Sequence, residues 1–369
     1  MRVMTVIGTR PEATKLAPVI KELDQHSESV ESVVCSTGQH REMLDQMLAL
    51  FNIRPNIELD VMQEAQTPAQ VAARILQKFE FVLADVNPDW VLVQGDTTTV
   101  MAAALAAAYK RKRVAHVEAG LRTYDRNNPF PEEMNRVLAD HVSDLHFAPT
   151  ESAKRNLLRE GISKESIFVT GNTAVDSLLD VAARPQPPGI KALGLPPDRK
   201  MILVTAHRRE NHGRPIRDIC AALRVLAKRP DVYIVYAVHR NPQIWEPVHA
   251  ELSNVANISL IAPQDYLTMV HLMKRSKLIL TDSGGIQEEA PTLGVPVLVL
   301  RKTTERPEAV EAGTARLVGT DQAAIIREAT TLLDDGAAYT KMSTGYNPFG
   351  DGQAAKRIVK ILRQHTGLN

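Results

Sequence analysis

The chain has 369 residues, 44% hydrophobic and 24% charged, the composition of a soluble globular protein long enough for two ordinary domains. Its formal charge of +1 supplies no broad field to recruit nucleic acid or an acidic membrane, so any anion must be caught by local groups. Cys35 and Cys220 sit in apolar runs without CxxC spacing, residues 1–3 enter a strand pattern with no room for a signal peptide, and no apolar run approaches the ~20 residues of a membrane helix; a cytoplasmic setting with buried thiols is the expectation.

In chain order, the pattern predicts strands at 2–7, 29–35, 90–94, 114–117 and 145–148, with helices at 11–23, 40–51, 67–86, 98–110 and 132–141 between them. Such alternation implies a parallel sheet wrapped by helices on both faces. A further βα step ends near 167–170, and Pro185-Gln186-Pro187-Pro188-Gly189 and Pro196-Pro197 punctuate a surface connection. Strands then resume at 201–205, 232–238, 258–261, 278–280 and 295–300, and an amphipathic helix closes the chain at 353–363. The expected fold class is α/β, with two doubly wound Rossmann-like domains facing a cleft. The expected domains are 1–170 and 171–352, with residues 353–369 packing back on the first.

Ligands of such sheets gather at the carboxyl ends of the strands, and there the polar tracts are dense. The stretch 277–314 reads as strand, glycine turn, helix from 286 to 293, and strand. Gly284-Gly285 falls where the helix begins, so backbone N–H groups can approach an anion closely. Ser283 adds a donor, Glu289 an acceptor for paired sugar hydroxyls, and Arg306 a cation. This is a candidate seat for a nucleotide diphosphate; a tight turn using Gly-Gly for its geometry is the plainer alternative. Gly8-Thr9-Arg10-Pro11 opens the first helix, with Arg10 and Lys15 expected to face the cleft; Lys15 could equally solvate a helix face. Gly95-Asp96 and Glu118 end strands that, if neighbours, set both carboxylates side by side. Asp96 could instead cap a helix; Glu118 after His116-Val117 would be costly unless paired or used. Glu132 and Glu133 open a helix, where Glu132 with Arg136 would be an ordinary i,i+4 pair. His207, Arg208, Arg209 and Glu210 cluster at another strand end, and His239 follows a further strand.

There is no Walker loop, no HExxH and no cysteine cluster for zinc, and the acids are not spaced as an obvious metal site. Gly350-Asp351-Gly352-Gln353-Ala354-Ala355 matches GxGxxA in letters but follows Asn347-Pro348-Phe349 instead of a strand, so it is not a dinucleotide fingerprint.

The ordered tracts GTRPEATK (8–15), TGQHREMLDQ (37–46), QGDTTT (94–99), HVEAGLRT (116–123), PFPEEMNR (129–136), HFAPT (146–150), VTGNTAVD (169–176), TAHRREN (205–211), TDSGGIQEEAP (281–291), TTERPE (303–308) and NPFGDGQA (347–354) span nearly the whole chain. Together they resemble the non-hydrolysing UDP-N-acetylglucosamine 2-epimerases. The resemblance implies the glycosyltransferase-B fold and interconversion of UDP-GlcNAc and UDP-ManNAc at carbon 2, with no cofactor and no metal. It implies Asp96, Glu118 and Glu132 as catalytic acids and bases. Arg10, Lys15, His207, Gln264, Met269, Ser283, Gly284, Gly285, Glu289 and Arg306 would hold the UDP-sugar, with Met269 standing where many members have an aromatic near the uracil. Gln39, Glu42, Arg209 and His239 are counterparts of a second, activating substrate site. A homodimer, a role in supplying cell-surface polysaccharide synthesis, and no nucleic-acid or membrane partner complete the expectation. A hydrolysing 2-epimerase, a glycosyltransferase or a UDP-sugar sensor are the competing readings.

Overall fold

The computed structural model describes residues 1–38, 41–63 and 66–367, with the backbone alone at 41–43. Its strands are β1 (Arg2–Ile7), β2 (Glu31–Ser36), β3 (Ile57–Glu58), β4 (Trp90–Gln94), β5 (Arg113–Val117), β6 (Leu145–Ala148), β7 (Ile167–Val169), β8 (Lys200–Thr205), β9 (Val232–Ala237), β10 (Ile258–Ile261), β11 (Leu278–Thr281), β12 (Val297–Val299) and β13 (Ala315–Leu317). The helices are α1 (Arg10–Asp24), α2 (Arg41–Phe51), α3 (Pro68–Val86), α4 (Thr98–Tyr109), α5 (Glu132–His141), α6 (Glu151–Arg159), α7 (Thr173–Ala182), α8 (Pro188–Ala192), α9 (Arg214–Leu226), α10 (Pro242–Leu252), α11 (Tyr266–Arg275), α12 (Gly284–Glu289), α13 (Pro307–Glu311), α14 (Gln322–Asp334), α15 (Gly336–Ser343) and α16 (Ala354–Gln364). The chain divides into two compact units, one of Met1–Ser177 with Phe349–Asn369 and one of Leu178–Pro348.

The first unit is a parallel sheet in the order β3-β2-β1-β4-β5-β6-β7. Strand β4, Trp-Val-Leu-Val-Gln, is buried at every position, its first four residues forming the apolar run expected of a strand covered on both faces. The order of strands reverses between β1 and β4, and a crevice opens there at the carboxyl ends. Threonine caps start the surrounding helices: Thr67, Thr97 and Thr150 each accept a backbone N–H from the first turn of α3, α4 and α6. Helix α16 buries Ile358, Val359 and Leu362. Its end is tied down by Trp90 Nε1 donating to Thr366 Oγ1 at 2.9 Å and Arg113 Nη1 donating to the His365 carbonyl at 2.9 Å. The unit runs to Ser177, beyond the residue 170 expected from sequence. Asn172 Nδ2 donates to Glu118 at 3.0 Å and Ser177 Oγ to the Thr14 carbonyl at 2.5 Å, so the start of α7 is bonded into the first sheet's layers.

The second unit repeats the arrangement, β10-β9-β8-β11-β12-β13, all parallel. Its core joins Ile202 and Val204 of β8, Ile234 and Tyr236 of β9 and Leu280 of β11 to Ile219 and Leu223 of α9. The reversal falls between β8 and β11. The stretch after β11 differs from the sequence expectation in two places. The helix after Gly284 starts two residues earlier and tightens into a 3-10 turn over Ala290–Leu293, because Pro291 cannot donate to the α ladder. The strand expected at 295–300 is confined to Val297–Val299, its entry occupied by Pro296. The short strands β3 and β13 were not expected at all.

Candidate active site

The first unit gathers its site around the β1/β4 reversal. A cavity of about 650 Å³ there is lined by Arg10 and Lys15 at the start of α1, Asp96 after β4, Glu118 after β5 and Glu132 at the start of α5. These five sequence-predicted residues come from four separate segments and meet in one space. Strands β4 and β5 are neighbours in parallel register, Gln94 opposite Val117, so the Asp96 and Glu118 turns are adjacent.

Each carboxylate sits in its own environment. Asp96 is not the cap of α4: Thr97 takes that place, accepting from Val100 N, and Asp96 pairs with Arg136. Arg136 therefore does not make the ordinary pair with Glu132 suggested by their spacing; it reaches Asp96 and, at 3.2 Å, Glu133. Glu133 is the structural member of the Glu132-Glu133 dipeptide, accepting the backbone N–H groups of Thr123 and Tyr124 at 2.9–3.1 Å. Glu132 faces the cavity, and its Oε2 is buried with no hydrogen-bond partner among the described residues. A carboxylate oxygen on a cavity wall with no protein partner is placed to meet a ligand or a water there. Glu118 accepts from Lys15 Nζ at 2.5 Å, Asn172 Nδ2 at 3.0 Å and Gln94 Nε2 at 2.5 Å. Its backbone lies in the left-handed region, φ 65°, an uncommon setting for a residue other than glycine, asparagine or aspartate.

Sequence reasoning passed over Glu12. Fully buried, it accepts from the N–H groups of Gly8 and Thr9 at 2.5 and 3.0 Å and from Thr97 Oγ1 at 2.5 Å. Burial pushes its carboxyl up to about 7 against the pull of those donors. Glu12 thus ties the Arg10 turn to the Asp96 turn. The signal was in the sequence: a Glu three residues after Thr9 is a capping-box spacing. Gln94, Asn135 and Asn172 were also passed over as site residues. Asn135 Nδ2 donates to the Asp96 carbonyl at 3.0 Å.

The residues of the expected diphosphate seat lie at the second unit's own reversal. Asp282, fully buried, receives the backbone N–H groups of His207 and Arg208 and the Asn211 amide, each at 2.8 Å. This fastens the β8 exit loop to the β11 exit, so His207, Arg208 and Ser283-Gly284-Gly285 lie together. A Cβ placed on Gly284 would lie 3.9 Å from Arg208 Nη2 and 4.0 Å from the Arg306 guanidinium, which puts the bare glycine backbone beside two cations. Arg208 belonged to a recognised cluster but was not singled out. Arg306 pairs with Glu288, and Glu289 accepts from the buried Tyr266 hydroxyl at 2.9 Å. Ser283 makes no side-chain cap to α12. Burial holds His207 below its ordinary value, opposed by the nearby Asp282 charge. Its ring stacks on His239 with centroids 5.7 Å apart. Gln264 donates to the Ala262 carbonyl at 2.7 Å, Met269 is half-buried on α11, and Arg209 is exposed. Gln39 and the Glu42 side chain lie outside the described residues. Among the described residues, no group of three or more His, Cys, Asp or Glu is arranged to hold a metal ion, and no helix is long and apolar enough to cross a membrane.

Two Rossmann-like units in one chain, each with its polar residues at the sheet's reversal point, define the glycosyltransferase-B class of α/β proteins. The sequence pattern of the UDP-N-acetylglucosamine 2-epimerases matches residues 21–363, and the chain belongs to that family of isomerases. It is 52% identical to the Escherichia coli K12 UDP-N-acetylglucosamine 2-epimerase, over 99% of each chain. Among solved structures it resembles the UDP-GlcNAc 2-epimerase of Neisseria meningitidis bound to UDP-GlcNAc (49% identity, TM-score 0.89, covering 99% of this chain and 100% of that one). The UDP-GlcNAc 2-epimerase of Methanocaldococcus jannaschii is similar at 37% identity and a TM-score of 0.87, again covering 99% and 100%.

Proposed function

We propose that the chain interconverts UDP-N-acetylglucosamine and UDP-N-acetylmannosamine by expelling UDP to a 2-acetamidoglucal intermediate and taking it back. The chemistry favours this route. The hydrogen on carbon 2 has no adjacent carbonyl, so direct deprotonation is unfavourable. Departure of UDP from carbon 1 builds oxocarbenium character and makes that hydrogen labile. Readdition of UDP and a proton then inverts the centre, with no redox cofactor needed.

Asp96, Glu118 and Glu132 are the proton donors and acceptors in this reading. Arg10, Lys15, His207, Gln264, Met269, Ser283, Gly284, Gly285, Glu289 and Arg306 hold the nucleotide sugar. General acid–base groups contribute about 10²–10⁴ each, or ~3–5 kcal/mol, against the ~8–23 kcal/mol typical of enzymes. Stabilising the departing diphosphate must therefore supply a comparable share, a task suited to Gly284-Gly285 beside Arg208 and Arg306. The observation that carries the proposal is the buried, unsatisfied Glu132 Oε2 in the same cavity as Asp96 and Glu118. A protein that only bound a dianionic ligand would have little reason to collect carboxylates there.

A second, activating substrate site at Gln39, Glu42, Arg209 and His239, a homodimeric assembly, a cytoplasmic location and a role upstream of cell-surface polysaccharide belong to the same proposal. Incubation with UDP-N-acetylglucosamine alone tests it. A UDP-linked epimer is expected; free UDP with N-acetylmannosamine would mean hydrolysis, and no reaction until an acceptor is added would mean glycosyl transfer.

A further inference from the structure

Behind the Asp96 and Glu118 turns lies a buried charged cluster that the proposed reaction does not use. His116, on β5, is wholly buried. Its Nδ1 is 2.6 Å from Asp140 Oδ1 at the end of α5, and its Nε2 is 2.7 Å from the Gly95 carbonyl oxygen. Asp140 Oδ2 also accepts from Arg122 Nη2 at 2.7 Å and from Gly120 N at 3.2 Å. The same guanidinium grips Glu160 through Nε and Nη2 at 2.7 and 2.6 Å.

We propose that His116 is a positioning residue that stays doubly protonated, its two ring N–H groups fastened to the Asp140 carboxylate and the Gly95 carbonyl so as to hold the turns bearing Asp96 and Glu118 in register. A carbonyl oxygen can only accept, so Nε2 carries a hydrogen. Asp140 is ionised by its contacts with Arg122 and Gly120 N, so Nδ1 carries one too. The cluster is then electrically closed: His116 and Arg122 against Asp140 and Glu160. His146, facing it from β6, stays out of the balance. Its Nε2 donates to the Asp140 backbone carbonyl at 2.8 Å, and its Nδ1 lies 3.3 Å from Ser166 Oγ, whose own hydrogen goes to the Ser163 carbonyl at 2.8 Å. Burial opposes the charge on His116, but Asp140 and the Gly95 carbonyl outweigh it and raise the ring above its ordinary value. Burial holds His146 below its own.

The mechanical consequence is specific. One carboxylate, Asp140, reaches Gly95 through His116 and Gly120 directly. Asp96 is the next residue after Gly95, and Glu118 lies two before Gly120. Gly95 N also donates to the Val117 carbonyl at 3.1 Å, so the two turns move together or not at all. A loss of this clamp displaces proton-transfer groups, and misplacement by an ångström can cost about 10²-fold in rate.

The activity arm of the test rests on the epimerase reading; the first arm does not. In full-length protein labelled with 15N-histidine, the His116 ring signals, identified by their loss in His116→Gln, should report two N–H groups from about pH 6 to about pH 9. A singly protonated ring anywhere in that range overturns the inference. In His116→Gln, kcat for epimerisation should fall by about 10²-fold with KM within about threefold of wild type; an unchanged kcat, or a loss confined to KM, contradicts the positioning role. In Asp140→Asn the ring should titrate within the range and kcat should fall as pH rises; a ring that titrates while the kcat profile stays flat refutes the clamp. A wild-type protein that leaves UDP-N-acetylglucosamine untouched would refute the epimerase reading instead. The ring signals and the Asp96 and Gly120 amide shifts in His116→Gln would then decide the inference without substrate.

Discussion

Glu132→Gln removes a charge while leaving the side chain's shape, and Glu132 Oε2 has no partner in the described fold to lose. It should therefore leave stability within ~0.5 kcal/mol of wild type while lowering kcat by about 10²–10⁴. Glu118→Gln differs, because Lys15 would lose its buried counter-charge. A comparable loss of turnover should come with destabilisation of about 1–3 kcal/mol, read from urea midpoints. Equal stability of the two variants would contradict the separation of roles drawn here. Glu12 gives a pH signature. Its folded value of about 7 lies above its ordinary 4.5, so its favourable contribution is fully present below about pH 4.5 and is lost as pH rises through 7. The change is on the order of 3 kcal/mol. Glu12→Gln should flatten the decline in urea midpoint between those limits, and an identical slope would show that the carboxyl ionises as freely folded as unfolded. At this scale the sequence was informative about which residues have polar business at strand ends and poor at their partners. Asp96, Thr97 and Thr98 are all capable caps, and only the structure shows that Thr97 has the task and Asp96 does not. His116 read as one more residue of a buried strand, since nothing in its neighbourhood along the chain shows Asp140, 24 residues away in sequence.

In the proposed reaction the β11–α12 turn is the element that holds the diphosphate. Gly284 has a negative φ and ordinary contact distances to Arg208 and Arg306, so Gly284→Ala should fold normally, with a change within ~1 kcal/mol. Its methyl group would nevertheless occupy space next to the guanidinium groups, and the UDP Kd should rise by about tenfold, or ~1.4 kcal/mol. Wild-type UDP affinity by calorimetry would place the diphosphate elsewhere. Gly120→Ala is the contrasting case. Gly120 has φ 85° and a Cβ there would collide with the Ala153 carbonyl, so stability should fall by more than about 1 kcal/mol. Strands such as β4 and β11 were legible because each opens on an unbroken apolar run, Trp90 to Val93 and Leu278 to Leu280, between polar flanks. The strand β3, two residues long, offers no period to read. The 3-10 turn after α12 follows from Pro291 competing with an otherwise helical composition.

At the scale of the whole molecule, each unit puts its reversal point to a different use. The first collects carboxylates around a cavity, and the second sets bare backbone beside arginines. The repeated βα alternation made both sheets readable, whereas the extent of the first unit was not. Its last residues are fixed by bonds from Asn172 and Ser177 to Glu118 and Thr14, which are distant in sequence. The central claim is that proton transfer at carbon 2 accompanies release and recapture of UDP. Turnover of UDP-N-acetylglucosamine in heavy water, followed by mass spectrometry and proton NMR of the UDP-linked product, tests it most directly. The expected product is N-acetylmannosamine still joined to UDP and carrying deuterium at carbon 2. A UDP-linked epimer that retains its original protium at that carbon would contradict it.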